Sequence, residues 1–473
     1  MQLAKEIAGL IDQKADLFTT VSDEVWSHPE LGFHETQSAK ALSELLCAQG
    51  FSIEMGVAGI PTAFVATYGA GKPAVGFLGE YDALSLLSQQ AGGTHHCPIE
   101  AGGNGHGCGH NALGAGALAA AVAVKDYLAS HNLPGTVQYF GCPGEEFGSG
   151  KMFMARAGCF DGLDAAFTWH PGGYNGVWGV STLACISVMF HFKGKTAHAA
   201  AAPHLGRSAL DAVELTNVGV NYLREHIPTD HRMHYAYRDA GGLSPNVVQD
   251  QACVHYFVRA PKVKQCLALL ERVQNVARGA ALMTDTQLTI EINEGLCDYV
   301  PNGVLSELLY ESFVETGAPV FDKADLSLAQ KFQYSEAEVD AFIHKIDVNF
   351  GAQYGQQARG KTLCDTIFPF RMMDYHEPGS TDVGDVSYAA PTAQLTATCW
   401  SVGTPGHSWQ VTSMSGSSIA HKGLLAAGKA MALAAVKAMH DPSLLQRAQE
   451  EYSATTGGTY ICPVPDDVKP ELI

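Results

Sequence analysis

The twelve cysteines are scattered, from Cys47 through Cys97, Cys108 and Cys142 onward, and no two form a CxxC pair. That excludes a disulfide framework, and free thiols of this kind suit a reducing compartment, so the chain is expected in the cytoplasm. Basic residues are few: 29 against 48 acidic ones, a formal charge of −19. A nucleic-acid partner needs clustered Lys and Arg, and an anionic membrane surface needs the same, so neither is expected. The first eighteen residues mix charge with apolar residues at helical spacing and lack the apolar core of a signal peptide. The apolar run 112–124 stops at Lys125-Asp126, too short to span a bilayer, and is predicted to be a buried helix. No internal repeat or low-complexity tract is present.

The chain does have ample apolar material, 46% of 473 residues, which is enough for two or three domains at roughly 150 residues each. Helical periodicity covers 3–26 and 36–49, the second closed by Gly50. Apolar strands are predicted at 62–68, 74–78, 136–141 and 165–168, separated by helices. This order implies an α/β sheet, at least partly parallel, with sites at the strand ends. From Leu183 the texture changes to strands near 184–194, 232–238, 252–259 and 286–293, with helices at 208–226 and 262–283. Two helices among four strands read as a small α+β unit inserted into the larger one. After Pro301-Asn302 the α/β pattern returns to about Met439, with a polar helical excursion at 321–361. The expected organisation is a discontinuous catalytic domain, 1–183 and 301–473, interrupted by 184–300.

Four short segments carry the chemistry together. Gly105-His106-Gly107-Cys108-Gly109-His110-Asn111 sets a thiol and an imidazole two residues apart on a glycine-rich turn that lets backbone approach a metal. Gly144-Glu145-Glu146 follows an apolar strand. Adjacent carboxylates there point different ways, so one can bind metal while the other faces a bound water. Trp169-His170-Pro171 closes another strand, and Gly403-Thr404-Pro405-Gly406-His407-Ser408 lies near the C-terminus. Upstream, Gly79-Glu80-Tyr81-Asp82-Ala83-Leu84 places a carboxylate where it can hydrogen-bond a ligating histidine. Each alone has an ordinary reading, as a glycine loop, a solvated acidic turn or a satisfied histidine.

Together these segments resemble the M20 metallopeptidase family, in its amidohydrolase branch that carries a cysteine in the first metal motif. The likeness covers nearly the whole chain, including His28-Pro29-Glu30-Leu31-Gly32-Phe33, which is read as structural. It implies that Cys108, His110, Glu146, His170 and His407 hold two divalent ions per subunit, zinc or manganese. Glu145 would be the general base and proton shuttle, and Asp82 the carboxylate behind a ligand histidine. In the inserted domain the resemblance gives His198 a role at the scissile carbonyl, commonly across a dimer interface, and gives Asn246, in Ser244-Pro245-Asn246, the substrate carboxylate. Some relatives use an arginine near the return to the catalytic domain, but 294–299 contains none. Asp382, in the loop 379–385, would support the metal site or cap a helix at Val386.

The implied reaction is hydrolysis of an N-acyl or N-aroyl amino acid, with p-aminobenzoyl-glutamate the leading substrate. Alternatives are a dipeptidase or carboxypeptidase-like enzyme of the same family, or a non-catalytic subunit of a hetero-oligomer. A homodimer is expected, or a hetero-oligomer with a related A-type subunit. A cysteine nucleophile at Cys108 is a weaker option than a thiolate ligand.

Overall fold

The structure, a computed structural model, describes residues 2–470. Its N-terminal helices, Gln2–Asp12, Ala15–Ser27 and Thr36–Ala48, each bury one apolar stripe. The single helix expected over 3–26 is instead two. Lys14 breaks it, and its ammonium reaches Asp126 at 2.6 Å and Gln49 at 2.7 Å.

A seven-stranded mixed sheet follows, in the order Ser52–Met55, Phe64–Ala70, Gly135–Cys142, Ala74–Glu80, Ala165–Gly172, Thr392–Thr398, Gly176–Val177. The four inner strands from Gly135–Cys142 to Thr392–Thr398 run parallel, and the outer ones are antiparallel. Ala74–Glu80 and Thr392–Thr398 are buried along their whole length, which is why they read as unbroken apolar runs rather than alternating ones. Parallel strands end at a common edge. Here Glu80 stands opposite Cys142, and His170 opposite Thr396. Chemistry at strand ends is thereby gathered in one place.

Two long helices, His110–His131 and Ser418–His440, pack against each other and the sheet. By length and composition both could cross a membrane, but 83% and 78% of their apolar windows are buried in this fold. They are core helices.

The four-stranded antiparallel sheet lies apart, in the order Gln287–Leu296, Ala184–Lys193, Gln251–Ala260, Arg232–Asp239. Helices Ala209–Leu223 and Val263–Thr284 cover it and share its own core of Ile186, Val188, Phe190, Val254 and Leu269. The polar excursion is helical as expected: Lys323–Ala329, Glu336–Phe350 and Ala352–Arg359. Asp322 and Ser335 start the first two of these with reciprocal capping bonds. Residues 86–104 form an irregular loop pinched at its base by the Leu84–Gly105 bridge.

Candidate active site

The site is assembled from four strand-end loops. Gly109 initiates the helix His110–His131 at φ +77, and a Cβ on it would come within 3.2 Å of Pro171 and Trp400. Only glycine takes that turn without strain, and it separates Cys108 from His110 by a sharp change of direction. The two enter adjoining clusters. Cys108, Glu146 and His407 form one, and Glu80, His110 and His170 another; within each, ligand atoms lie within 4.8 Å of one another. His110 also stands within that range of Glu145 and Glu146.

His110 is held from behind. Its Nδ1 lies 2.8 Å from Asp82 Oδ1, while Asp82 Oδ2 accepts the Glu146 backbone N–H at 2.8 Å. That bond places the proton on Nδ1 of a neutral ring and turns Nε2 toward the cluster. There Nε2 faces Glu80 Oε2 at 3.2 Å, and His170 Nε2 faces the same oxygen at 3.4 Å. Among the described residues, buried His110 Nε2, Glu146 Oε1 and His170 Nδ1 have no hydrogen-bond partner. Lone pairs converging at this distance need a proton or a cation between them. Thiol, imidazole and carboxylate donors together fit a divalent cation.

The charges say the same. Glu80, Asp82 and Asp382 are fully or almost fully buried, with the Lys151 ammonium set among them. Lys151 Nζ lies 2.7 Å from Glu80 and 2.5 Å from Asp382, and its own backbone N–H donates to Asp382. Burial opposes ionisation of Glu80, but Lys151, His170 and His110 hold it well below the usual carboxylate range. Glu145 goes the other way: burial, then the Glu80 and Asp382 charges, push it up to about 7. Burial also raises Glu146. Without a metal, this many carboxylates cannot all be ionised. The Cys108 thiol is pushed up to about 12 by burial, so it is no activated nucleophile, whereas a bound cation would deprotonate it.

The loop bearing Glu145 rests in a socket made by the N-terminal Pro29–Glu35 stretch. Fully buried Glu35 accepts the Gly144 N–H at 2.8 Å and the Thr62 hydroxyl at 2.9 Å. Gly32 lies so close that a Cβ would meet the Phe147 carbonyl oxygen at 2.4 Å.

Above the carboxylates runs a cleft of about 240 Å³. Its catalytic wall carries Glu145, Glu146 and His407, and its opposite wall carries Arg259 and Glu294 from the antiparallel sheet. Arg259 Nη1 donates to Ser380 at 2.8 Å. His198 and Asn246 are elsewhere: both are exposed, side by side, with the Ala199 N–H donating to the Asn246 carbonyl. Neither lines the cleft. His198 Nδ1 accepts the N–H groups of Ala200 and Ala201, which leaves its Nε2–H free to donate outward.

The structure thus gathers Cys108, His110, Glu145, Glu146, His170, His407 and Asp82. It does not bring His198 or Asn246 to them within one chain. Asp382 gives no side-chain cap to the helix Val383–Ser387 but pairs with Lys151. Sequence reasoning missed Glu80, Lys151 and Arg259. Glu80 had a signal, since a carboxylate closing a wholly apolar strand is costly unless paired.

Residues 76–460 match Peptidase family M20/M25/M40. The chain belongs to this family. It is 43% identical over 475 residues to the B-type subunit of the p-aminobenzoyl-glutamate hydrolase of Escherichia coli (strain K12), with 99% of each chain covered. It is 28% identical to a Xaa-Arg dipeptidase of Mus musculus, over 95% of this chain and 92% of that one. Among solved structures, a dinuclear metal-binding M20 peptidase of Bacillus subtilis superposes with a TM-score of 0.56 at 18% identity, covering 91% and 99% of the two chains. At that identity the likeness speaks for the fold, and it extends to the M20 chain as a whole.

Proposed function

We propose that this M20 chain hydrolyses the amide bond of an N-aroyl or N-acyl amino acid, with p-aminobenzoyl-glutamate its leading substrate. The observation that carries the reading is the pair of adjoining clusters, Cys108–Glu146–His407 and Glu80–His110–His170, with Glu145 beside both. Each cluster would hold one divalent ion, with the Cys108 thiolate and the imidazoles favouring zinc and the carboxylates tolerating manganese. When bound, the ions polarise the amide carbonyl and acidify the attacking water. Glu145, pushed up to about 7 by burial and its carboxylate neighbours, takes the water's proton and delivers it to the leaving amine. Asp82 keeps His110 in the ligating tautomer. Arg259, tethered to Ser380, offers the cleft's guanidinium to the substrate carboxylate. It stands in for the arginine missing from 294–299.

His198 and Asn246 would serve the cleft of a second copy. Residues 184–300, with their own core, would be the lid and pairing domain. Support comes from the outer strand Arg232–Asp239, where Tyr235 and Tyr237 are exposed, and from Val218 and Tyr222 exposed on the helix Ala209–Leu223. An open sheet edge with exposed aromatics is suited to pairing. The partner would be the same chain. The similarity to a B-type hydrolase chain favours, as a second reading, a related A-type subunit. Twelve free thiols and burial of both apolar helices support a cytoplasmic location.

The test is to purify the chain alone, without chelator or added metal, and to measure metal content beside p-aminobenzoyl-glutamate turnover. Close to two ions per chain with release of p-aminobenzoate is expected. Active protein free of metal would overturn the mechanism. Metal-loaded protein active only with a sister subunit would favour the hetero-oligomer.

A further inference from the structure

The four-stranded antiparallel sheet packs one face on its helices and leaves the other open. Val254, Tyr256 and Val258 point into the core beneath it, as does Met233. Strand alternation therefore turns His255, Phe257 and Arg259 the other way, with Arg232 and His234 beside them. Phe257 and Arg259 line the catalytic cleft. One strand further out, on the sheet edge, Arg232 stands directly opposite Arg259, and His234 directly opposite Phe257. The open face thus runs from the cleft wall onto the edge strand.

Its charge is unlike that of the rest of the molecule. The chain carries −19 overall, yet here two arginines face each other across neighbouring strands, which destabilises a sheet unless something answers the charge. Among the described residues, the arginines paired with carboxylates within 4 Å are Arg207, Arg278 and Arg359, not Arg232, Arg238 or Arg259. Arg232 Nη1 donates to the carbonyls of Thr229 and His231, and Arg259 Nη1 to the Ser380 hydroxyl, all neutral acceptors. Burial, then the Arg259, Arg224 and Arg232 charges, lower the His234 pKa; burial and then Arg238 lower that of His255, against a nearby Glu291. The carboxylates at hand have partners already. Glu294 accepts the Gly148 N–H at 3.1 Å, Glu291 faces His191 at 2.8 Å, and Asp239 accepts the Gly241 N–H at 2.8 Å. Unanswered positive charge leading out of a cleft that offers Arg259 to one carboxylate fits a substrate that carries several. We infer that this face binds an acidic extension of the substrate, an oligo-glutamyl chain joined to the side-chain carboxylate of the aroyl-glutamate, with its successive carboxylates at Arg232, His234 and, further along the strand, Arg238. The inference rests on the amidohydrolase reading above and extends its substrate class. The reaction is unchanged: water adds across the aroyl amide and releases the aromatic acid and the intact acidic chain. Side chains stand roughly perpendicular to a sheet, so pairing of the edge strand with a second copy leaves this face open.

The experiment measures p-aminobenzoate release from p-aminobenzoyl-glutamate and from its analogues with two and four glutamates, linked through side-chain carboxylates. Metal-loaded wild type, Arg232→Gln and Arg238→Gln are compared. The wild type should favour the two-glutamate compound over the single one on the order of fivefold in kcat/KM, chiefly through KM, the scale of a few exposed charge pairs. That preference should shrink as salt is raised. Arg232→Gln should pull the ratio toward one with p-aminobenzoyl-glutamate turnover nearly unchanged. Arg238 lies about 20 Å further along the strand at ~3.3 Å per residue, so Arg238→Gln should act only on the four-glutamate compound. If Arg232→Gln does not fold, Arg238→Gln and the salt dependence of the wild type decide the matter. A wild-type ratio of one or less, or variants that slow all three substrates alike, would overturn the assignment while the hydrolase reading stands. Hydrolysis of none of the three by metal-loaded enzyme would overturn both.

Discussion

Glu145 and Glu146 are neighbours with different partners, and the difference can be measured. Glu146 shares a cluster with Cys108 and His407, and its backbone N–H is tied to Asp82. Glu145 sits among Glu80, Asp382 and His110. Glu145→Gln keeps shape and reach but removes the basic site. Turnover should fall on the order of 10²–10⁴-fold, with metal content unchanged by elemental analysis. Glu146→Gln should lose metal as well as activity. Normal turnover by Glu145→Gln would remove the proton shuttle from the mechanism. The sequence made these two residues legible because their motif sits at the end of an apolar strand, where a carboxylate pair has few ordinary uses. Lys151 was not legible. Within Gly150–Arg156 nothing distinguishes it from a solvated helical lysine, and only the tertiary fold sets its ammonium against Glu80 and Asp382. Arg259 was hidden for a related reason: it alternates outward on a strand of the inserted sheet, and which wall it faces depends on how that sheet docks.

At the scale of elements, period and punctuation carried most of the fold. Strands at 74–80, 135–142, 165–172 and 251–260 and helices at 36–48 and 263–284 stand within a few residues of their apolar patterns. The break at Lys14 was not legible, because Gln and Lys are good helix formers and the turn is imposed by Asp126 and Gln49. The tightest coupling of element to site is at Gly114 on the helix His110–His131. A Cβ there would lie 2.7 Å from the Glu80 backbone carbonyl, which cannot swing aside. Gly114→Ala should therefore destabilise the protein by about 1–3 kcal/mol through overpacking, less the ~1 kcal/mol that alanine gains in a helix. It should also weaken metal binding, because the helix begins at His110. A Cβ added at Gly9, on the helix Gln2–Asp12, would meet no neighbouring atom within 4 Å among the described residues, so Gly9→Ala should be neutral or stabilising by up to ~1 kcal/mol. Chemical denaturation of the metal-free proteins separates the two, and equal behaviour would mean that the close approach imposes no constraint.

Across the whole molecule, the buried carboxylates make stability depend on pH in the metal-free protein. Burial pushes Glu35 up to about 8, Glu145 up to about 7 and Asp385 up to about 7, and it raises Glu146. Each binds its proton more tightly folded than unfolded, so each stabilises fully below the unfolded value and loses that contribution as pH rises through the folded one. Burial lowers the folded pKa of His106 to about 4, so His106 acts the other way, but its contribution is largely complete above the ordinary histidine value of 6.5. Metal-free protein should therefore melt lower at pH 8 than at pH 6.5, and a divalent ion should raise the midpoint more at pH 8, where fewer protons compete for the ligands. A midpoint that rises over that interval without metal would contradict this account of the cluster. The same scale decides whether one chain is a complete enzyme. His198 points its free Nε2–H outward from an exposed bridge with Val247, and the cleft of its own chain is lined without it. If it donates to the carbonyl held in a second copy, then His198→Ala and Glu145→Gln damage opposite halves of one composite site. Each homodimer should be nearly inactive, the first through loss of a donor that typically contributes about 2.7–4 kcal/mol to the transition state. A mixed dimer pairs an intact His198 with an intact Glu145 in one of its two clefts. Mixing the two variants and purifying the heterodimer by differential tags should restore up to about half of the wild-type rate per dimer, in proportion to that one repaired site in two. A verified heterodimer without recovery would place His198 outside the reaction, and the lid would then serve assembly alone.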